Sequence, residues 1–258
     1  MSRNILQGLV GAWCPSLGPS GYTLLDRSGR GNHGSLTNMD AGTDWVGSPG
    51  GWALDFDGVN DKVTSTHQMG TGIEKATLAF WAKKPASDTI AICSIGSESF
   101  NSRFHISWFS DSEVYCTCEN GSGTFGNVTL TYAASWFYFV LSYNGGQSTN
   151  ATRLRLFING TQRTLAFTGT IPSTAISSNV VAIGAGSGRY ATAQIDDVAI
   201  WNRDVSPVEA SGIYNMGRGG LGRLLTPQRR SYAFRVPAAA VKSYLFVNRG
   251  QVIGGGTL

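Results

Sequence analysis

Features that would indicate a membrane, secreted or zinc-binding protein are missing from this 258-residue sequence. It has no run of about 18 apolar residues, which a membrane-spanning helix requires, so no membrane span is expected. Its first residues lead directly into a predicted strand and lack the apolar region of a secretory signal. The protein is therefore expected to be used without export, or to have lost a signal. The three histidines are scattered along the sequence, and no zinc site is expected.

Cysteines are few, and their spacing does not indicate a disulfide framework. The four are Cys14, Cys93, Cys116 and Cys118. Cys116 and Cys118 are two residues apart in a predicted strand, so they point to the same face and do not easily bridge each other. Two disulfides remain an alternative, but we favour free and mostly buried thiols, which are common in protein cores.

Acidic residues are absent from the C-terminal part of the chain. Residues 215–258 contain seven of the 20 basic residues and none of the 16 acidic ones, a net charge of +7. Residues 1–214 keep the other 13 basic residues and all 16 acidic ones, a net charge of −3, so the whole-chain value of +4 conceals the division. The glycine-rich segment 217–223 is typical of a flexible linker. We therefore predict a domain over residues 1–215 and a basic C-terminal tail over residues 216–258.

Short predicted strands separated by turn signals fill the sequence from Leu9 to about Trp201. Asn144-Gly145 and Asn159-Gly160 are typical hairpin turns. The predicted strands between these limits are 53–56, 62–66, 76–83, 89–95, 103–108, 114–119, 136–143, 153–158 and 180–183. Many short strands, almost no helix and regular turns predict an all-β fold, a jelly-roll antiparallel β-sandwich.

The segment 194–214 combines a strand with a short helix. Apolar residues occupy both faces of the strand, so we expect it to be covered on both sides. The strand also contains Asp196 and Asp197, and a buried carboxylate must be paired, hydrogen-bonded or bound to a metal. Ser206 then predicts a helix start, because a proline follows at the first helical position and a glutamate stands at the capping-box position.

Three stretches resemble laminin G-like domains of the concanavalin A-like lectin/glucanase superfamily. They are L-V-G-A-W at residues 9–13 with D-R-S-G-R-G-N-H-G at 26–34, L-D-F-D-G-V-N-D-K-V at 54–63, and I-D-D-V-A-I-W-N-R at 195–203 with the helix that follows it. The resemblance covers roughly residues 5–215 and implies a sandwich whose first and last strands are neighbours. It implies little about function, because this fold has many unrelated roles.

The resemblance also implies one structural calcium, since in such domains calcium often joins the early turn to the closing strand. The matching positions are Asp26, Asn32 and Asp197, and oxygens of this type are the ligands that calcium prefers. The alternative is that Asp26 caps its own turn and that Asp197 accepts hydrogen bonds from the backbone. We therefore expect a cation or a tight hydrogen-bond cluster to join Asp26 to Asp197.

Aromatic residues in or near loops favour glycan binding, because the CH faces of sugar rings stack on aromatic side chains. The candidates are Trp45, Trp108 and Tyr190, with simple packing as the alternative for the tryptophans. An enzyme is not expected. The related glucanases carry paired acids in an E-x-D-x-x-E strand, and this pattern is absent from the sequence.

The tail contains the candidate partner-binding residues. They are basic or aromatic: Arg218, Arg223, Arg229, Arg230, Tyr232, Phe234, Tyr244 and Phe246. Two predicted β segments, 231–236 and 241–247, are too apolar for a solvated tail. They favour a protein partner that gains a strand over nucleic acid, which basic residues alone could bind.

The sequence G-R-G-G-L-G-R-L-L-T-P-Q-R-R at residues 217–230 resembles the ends of laminin G-like proteins encoded by bacteriophages. This resemblance implies a non-enzymatic virion protein, either a capsid decoration protein or a fibre component, at the virion surface. Its tail would bind other virion proteins, its sandwich would contact host glycans, and a homo-oligomer is compatible with this role. The alternative is a carbohydrate-binding module of a soluble or cell-surface protein, which would be extracellular.

Overall fold

Two antiparallel sheets stack face to face, and they are built from segments that the sequence predicts as strands. The computed structural model describes residues 5–48, 50–67, 69, 72–86, 90–96, 103–109, 112–120, 123–131, 133–175, 180–186 and 188–225, and the backbone of 244–247 and 251–254. The chain divides into two compact units, Met1–Thr226 and Pro227–Leu258. The first unit is the sandwich, so the predicted all-β fold is confirmed.

The first sheet, sheet A, has the closing strand near its centre. Its strands in spatial order are β14 (Thr161–Arg163), β13 (Leu154–Ile158), β12 (Phe137–Asn144), β7 (Lys75–Lys83), β19 (Thr192–Trp201), β5 (Gly51–Asp57) and β4 (Trp45–Ser48), with β1 (Leu9–Trp13) paired to β19.

The second sheet, sheet B, covers the other side of the core. Its strands in spatial order are β15 (Ala166–Thr168), β11 (Phe125–Thr129), β10 (Glu113–Cys118), β9 (Arg103–Trp108), β8 (Ala91–Gly96), β16 (Val180–Ile183), β6 (Lys62–Thr66), β3 (Gly34–Thr37) and β2 (Thr23–Leu24).

Few other elements occur in the described residues. They are a 3-10 turn (Pro15–Leu17), the paired strands β17 (Ala185–Gly186) and β18 (Arg189–Tyr190), and the helices α1 (Asn150–Arg153), α2 (Pro207–Asn215) and α3 (Gly220–Leu225). In the second unit, β20 (Tyr244–Val247) pairs with β21 (Gln251–Gly254). The predicted segment 241–247 therefore contains a strand, whereas the predicted segment 231–236 lies outside the described residues.

The main core lies between the sheets and follows the period-two alternation of the strands. On β5, Leu54 and Phe56 are buried in this core, whereas Asp55 and Asp57 lie on the other face of the strand. Burial of a large apolar side chain contributes about 1.5–3 kcal/mol, so these alternating positions fix which face of β5 points inward.

The outer face of sheet A has its own apolar cover. Trp81 of β7 and Tyr138 of β12 belong to a second apolar cluster, together with Ile213 of α2 and Leu221 of α3. Because both faces are covered here, β7 and β19 are buried over nearly their whole length. The prediction that the closing strand is covered on both sides is confirmed.

The opening and closing strands are neighbours, as predicted. In the antiparallel pair of β1 and β19, Leu9 lies opposite Trp201 and Trp13 lies opposite Val198. Trp201 is fully buried, and its indole Nε1 donates to the Ile5 carbonyl oxygen over 2.8 Å. This pairing holds the two ends of the sandwich together.

Helix α2 begins where its sequence predicts. The Ser206 hydroxyl oxygen accepts from the Glu209 backbone N–H over 3.2 Å, and the Glu209 carboxylate accepts from the Ser206 backbone N–H over 2.9 Å. This reciprocal pair satisfies two N–H groups that the first helical turn leaves without a partner, and Pro207 occupies the first helical position.

The flexible linker predicted over residues 217–223 is wrong. Residues 220–225 form α3, in which Leu221 is 2% exposed, and Gly222 lies against Cys14 and Leu17. Apolar contact with the sandwich therefore orders this glycine-rich segment. The first compact unit runs to Thr226, and the proposed division at residue 215 between sandwich and anchoring tail stays a prediction.

All four cysteines are free and buried, as favoured from the sequence. Burial raises the pKa of the thiols of Cys93, Cys116 and Cys118 far above the usual range. The thiolate is the nucleophilic form, so these three side chains are unreactive core residues.

Candidate functional site

The closing strand changes its partner at an irregularity in its middle. Its first half pairs with β5 and its second half pairs with β1. Opposite β7, the register shifts between Asp196 and Ala199, and Asp197 has a φ of 45°. Aspartate tolerates this left-handed conformation better than most residues do. The irregularity buries two adjacent carboxylates, with Asp196 0% and Asp197 1% exposed.

Both carboxylates bind the chain around them. Asp196 Oδ1 accepts from the backbone N–H groups of Ser16 (3.0 Å) and Asp197 (2.7 Å). Asp197 Oδ1 accepts from the Ser16 hydroxyl over 2.8 Å, and its Oδ2 accepts from the Gly219 N–H over 2.6 Å. The two aspartates, which we call the acid pair, therefore join the turn after β1 to the segment before α3.

Arg218 supplies a cation to the acid pair. Its Nη1 lies 3.6 Å from Asp196 Oδ2, and its side chain is only 8% exposed. The guanidinium carbon lies 4.3 Å from the centre of the Trp136 ring, and Nη1 also donates to the Ser48 hydroxyl oxygen. Removing one partner from a buried ion pair leaves an uncompensated charge, which costs about 3–5 kcal/mol.

Burial controls the titration of the acid pair. It raises the pKa of Asp196 well above the usual range, and the charge of Asp197 raises it further, against the hydrogen bonds from Ser16 and Asp197 and the charge of Arg218. Burial likewise raises the pKa of Asp197, against the hydrogen bonds from Ser16 and Gly219. Arg218 and these donors only partly offset the cost of two adjacent buried charges.

Asp26 caps its own turn. Its Oδ1 accepts from the backbone N–H groups of Ala12 (2.9 Å) and Ser28 (2.8 Å). Its Oδ2 accepts from the Ser28 hydroxyl (2.8 Å) and the Asn32 N–H (3.0 Å). The Asn32 side-chain amide donates to the Val10 carbonyl oxygen over 2.8 Å. This arrangement agrees with the hydrogen-bonded alternative to a metal.

These residues do not fit the predicted calcium. Asp26 and Asn32 meet in one turn, whereas Asp197 accepts hydrogen bonds from Ser16, Gly219 and the Cys14 thiol. Calcium needs six to eight oxygen ligands, but the Asp26 oxygens already accept four hydrogen bonds. Within the described ranges, no group of three or more His, Cys, Asp or Glu side chains could hold a metal ion. Calcium stays a prediction that these contacts do not support.

Two of the three predicted ligand-binding aromatics belong to the core, which corrects their assignment. Trp45 is 4% exposed and donates from Nε1 to the Gly21 carbonyl oxygen over 3.1 Å. Trp108 is 0% exposed, and the Lys84 amine lies 4.5 Å from the centre of its ring. Neither tryptophan presents a ring face to a ligand. Tyr190 lies half-buried on β18.

A row of half-buried aromatic residues lies on the outer face of sheet B, and we call it the aromatic strip. It consists of Phe109, Tyr115 and Phe125. The Tyr115 ring centre lies 5.3 Å from that of Phe109 and 5.4 Å from that of Phe125. The sequence predicts β10 but not this surface. The available signal was the alternation of residues 113 and 115 with the buried residues 114 and 116.

Polar groups flank the aromatic strip. Asn127 lies directly opposite Tyr115 on the neighbouring strand. The Glu113 carboxylate accepts from the Asn127 side-chain amide over 2.9 Å and from the Thr129 hydroxyl over 2.8 Å. The guanidinium carbon of the exposed Arg189 lies 5.1 Å from the centre of the Phe109 ring. The strip thus combines aromatic faces with hydrogen-bonding groups and a cation.

A polar cleft of about 320 Å³ opens on sheet A, beside β5 and β19. Its lining includes Asp44, Asp55, Asp57, Lys83 and Gln194. Burial raises the pKa of Asp55, whereas its hydrogen bond with Gln194 acts in the opposite direction.

The predicted partner-binding residues have different outcomes. Arg218 binds the acid pair inside the first unit, which corrects its assignment to a partner, and Arg223 is exposed on α3. Four of the others, Arg229, Arg230, Tyr232 and Phe234, lie outside the described residues. Tyr244 and Phe246 lie on β20, of which only the backbone is described. For these six residues, partner binding stays a prediction.

No helix in the described ranges has the length and apolar character needed to span a membrane.

Known structures share the fold. The receptor-binding domain of botulinum neurotoxin D has a TM-score of 0.60 at 14% identity, over 82% of this chain and 53% of that domain's chain. A botulinum neurotoxin type C structure, described by its interaction with two ganglioside molecules, has a TM-score of 0.59 at 17% identity, over 82% and 52%. The binding domain of botulinum neurotoxin DC in complex with rat synaptotagmin II has a TM-score of 0.57 at 16% identity, also over 82% and 52%.

This chain thus spans about half the length of the chains in these structures, and at such identities the likeness concerns the fold alone. No curated protein matches the chain significantly. The laminin G-like family model of the concanavalin A-like lectin/glucanases superfamily matches residues 57–211, which is more than half of the chain. Together with the paired opening and closing strands, this match shows that the chain belongs to the concanavalin A-like lectin/glucanases superfamily.

Proposed function

We propose that this chain is a non-enzymatic binding protein whose lectin-like sandwich takes saccharides on the aromatic strip. We further propose that it is a virion protein, a capsid decoration or fibre component, whose basic tail attaches the sandwich to other virion proteins at the particle surface. The observation that carries the binding role is the geometry of the aromatic strip.

Sugar recognition needs two kinds of surface, and the aromatic strip offers both. The apolar CH faces of a pyranose stack on aromatic rings, while its hydroxyl groups need hydrogen-bonding partners. Tyr115 and its two aromatic neighbours supply partly exposed rings at spacings of 5.3 Å and 5.4 Å. Asn127 and Glu113 lie directly beside them.

The similar structures support a binding role by analogy. One of the botulinum neurotoxin structures is described by ganglioside interaction and another by a complex with synaptotagmin II. A ganglioside carries a glycan, so the analogy is consistent with glycan binding by this sandwich. Because this chain matches only about half of each of those domains, the analogy supports the class of function and not the position of the site.

A hydrolytic role is the alternative that the polar cleft on sheet A raises. Asp55 and Asp57 line the cleft together, and burial raises the pKa of Asp55, as a general acid requires. The lining of the cleft includes Phe56, but this side chain is only 1% exposed, whereas the rings of the aromatic strip are partly exposed. We therefore place binding at the aromatic strip and assign no catalytic residue.

The binding proposal is tested by titrating the full chain with oligosaccharides of glucose, galactose, N-acetylglucosamine and sialic acid. Tyr115→Ala removes the central ring of the aromatic strip without touching the core. We expect the dissociation constant for the tightest-binding probe to rise at least tenfold, which corresponds to about 1.4 kcal/mol.

The matched control is Tyr22→Ala, which removes another exposed tyrosine, 62% accessible, outside the aromatic strip. It should leave affinity within twofold of the wild type. Equal losses in the two variants, or saccharide binding that is insensitive to Tyr115→Ala, would remove the aromatic strip as the binding surface.

The virion proposal rests on the tail. The chain from Pro227 onward is a compact unit of its own, and residues 227–258 carry five basic residues and no acidic ones, a net charge of +5. Exposed ion pairs contribute only about 0–1 kcal/mol each, so the first unit, residues 1–226 with a net charge of −1, is a poor match for this charge.

The attachment is tested by adding the full chain, or a chain ending at Thr226, to particles purified without it, followed by density-gradient centrifugation. The full chain should migrate with the particles, and the shorter chain should remain at the top of the gradient. Equal migration of both chains would show that the tail does not attach them.

A further inference from the structure

The segment between α2 and the end of the first unit contacts the acid pair directly. We call residues 217–225 the strap. Gly217 and Gly219 have φ values of 72° and 78°, which glycine adopts without strain, and they turn the chain from α2 into α3. Gly222 lies against Cys14. The strap therefore covers Cys14, which is 4% exposed.

The Arg218 side chain of the strap is surrounded by three kinds of group. The Asp196 carboxylate lies 3.6 Å from it, the Trp136 ring centre lies 4.3 Å from its guanidinium carbon, and the Ser48 hydroxyl accepts from it. A planar guanidinium suits all three, because it carries a positive charge, stacks on an aromatic face and offers several N–H donors. A lysine ammonium would match the charge but not the planar stacking.

Asp196 provides an independent observation that this is a cation site. Its side chain is 0% exposed, and its Oδ2 makes no hydrogen bond within the described part of the chain. Its other oxygen already accepts from two backbone N–H groups. A buried carboxylate oxygen without a hydrogen bond is costly unless a cation lies beside it, and Arg218 supplies that cation.

The apolar part of the strap is small. Leu221 is buried and Leu225 packs partly buried against the second apolar cluster, whereas Leu224 is 46% exposed and Arg223 is exposed. Segments with few buried side chains open at a lower free-energy cost than core strands do. The contacts of Arg218, and the hydrogen bond from Gly219 to Asp197, therefore carry much of the attachment of the strap.

We propose that Ser48, Trp136 and the acid pair form a guanidinium-binding site, which Arg218 fills in the closed strap, and that the strap opens as a local unit when the site is empty. An arginine of another chain would satisfy the same site once the strap has opened. The site is separate from the aromatic strip, and its test needs neither saccharide nor particle.

The test uses Arg218→Ala in the full chain and follows alkylation of each cysteine by mass spectrometry. The variant should alkylate at Cys14 at least tenfold faster than the wild type, with the three core cysteines unchanged. Methylguanidinium at 20 mM should slow Cys14 alkylation in the variant severalfold by filling the site. Methylammonium at the same concentration should have little effect, and Arg223→Ala, a change on the exposed side of α3, should behave as the wild type.

Three results would overturn the proposal. Unchanged Cys14 alkylation in Arg218→Ala would show that Arg218 does not hold the strap. Equal rescue by both cations would show a general charge effect and no guanidinium site. If the variant does not fold, hydrogen exchange of the wild type decides. The amides of Gly219 and Arg223 should exchange faster than those of β19 in the absence of denaturant, and exchange at one common rate would contradict local opening.

Discussion

Asp197 holds the left-handed backbone conformation at which the closing strand exchanges β5 for β1. Where β19 exchanges β5 for β1, the turn containing Ser16 lies beside β19 and donates to Asp196. A Cβ atom on Gly51, at the start of β5, would lie 2.4 Å from the Ser16 carbonyl oxygen. The acid pair therefore ties together three segments that are far apart in sequence: the turn after β1, the middle of β19 and the strap.

Gly184 provides a residue-scale test of the packing between the sheets. Its φ is 80°, and an added Cβ would lie 2.2 Å from ring carbons of Phe56. Gly188 has a similar φ of 67° but nothing within 4 Å of the same position. We expect Gly184→Ala to lower the free energy of unfolding by about 2–4 kcal/mol, since overpacking adds to backbone strain. Gly188→Ala, which introduces strain alone, should cost about 1 kcal/mol.

Urea unfolding followed by tryptophan fluorescence measures both glycine variants. Equal losses at the two positions would show that the core yields around Phe56 and that only the backbone conformation matters.

At the residue scale, the sequence predicts that the two adjacent aspartates need hydrogen bonds or a cation, but not which residue supplies the cation. A strand buried on both faces with two adjacent aspartates required hydrogen bonds or a cation. The cation is Arg218, and it could not be predicted because glycines around it indicated a linker. Trp45 is a wrong candidate because the sequence does not predict β4, and Trp108 is a wrong candidate because it ends the predicted strand 103–108 without revealing which face is buried. The same ambiguity hides Tyr115, because a tyrosine within a strand does not reveal which face is open.

At the scale of elements, three strands and the start of α2 agree with their predicted limits. The limits 62–66, 103–108 and 180–183 agree with β6, β9 and β16. The sequence does not predict β11, because its residues carry little apolar alternation. Helix α3 was missed because glycine is a poor helix former, and contacts of Leu221 and Gly222 with the sandwich determine its conformation.

The start of α2 makes the stability of the sandwich depend on pH. Burial raises the pKa of Glu209, but hydrogen bonds from Ser206 and Arg203 outweigh it, so the net pKa is lowered. The Arg203 guanidinium lies 2.8 Å from the Glu209 carboxylate. A lowered folded-state pKa means that the stabilisation is fully present above the unfolded-state pKa, near 4.3, and is lost as pH falls through the folded-state value.

Glu209→Gln tests this pH dependence because glutamine keeps the capping geometry and removes the charge. The variant should lose about 0.5–1 kcal/mol at pH 7 and differ little from the wild type below about pH 3. Ser206→Ala, which removes the N-cap hydroxyl, should lose about 1 kcal/mol at both pH values. Urea unfolding at the two pH values measures all three proteins. A Glu209→Gln deficit of the same size at both would contradict the assignment.

At the scale of the whole molecule, the sandwich and the tail differ in the observations that support their prediction. The sandwich was predicted from three sequence motifs, and its family is shown by the match over residues 57–211. The tail is predicted from its composition, and its virion role from the resemblance of residues 217–230 to bacteriophage-encoded proteins; β20 and β21 are its described elements. Composition reports charge and apolar content but not the partner, so the virion role remains our proposal.

The central claim is that the sandwich is the binding unit and that the aromatic strip is its binding surface. The most direct measurement is calorimetric titration of a chain ending at Thr226 with the oligosaccharide that binds the full chain most tightly. Our account predicts an affinity within twofold of the full chain, and an at least tenfold loss when Tyr115→Ala is added to the shorter chain. Loss of binding on truncation, with no effect of Tyr115→Ala in the full chain, would place the binding site in the tail and contradict the account.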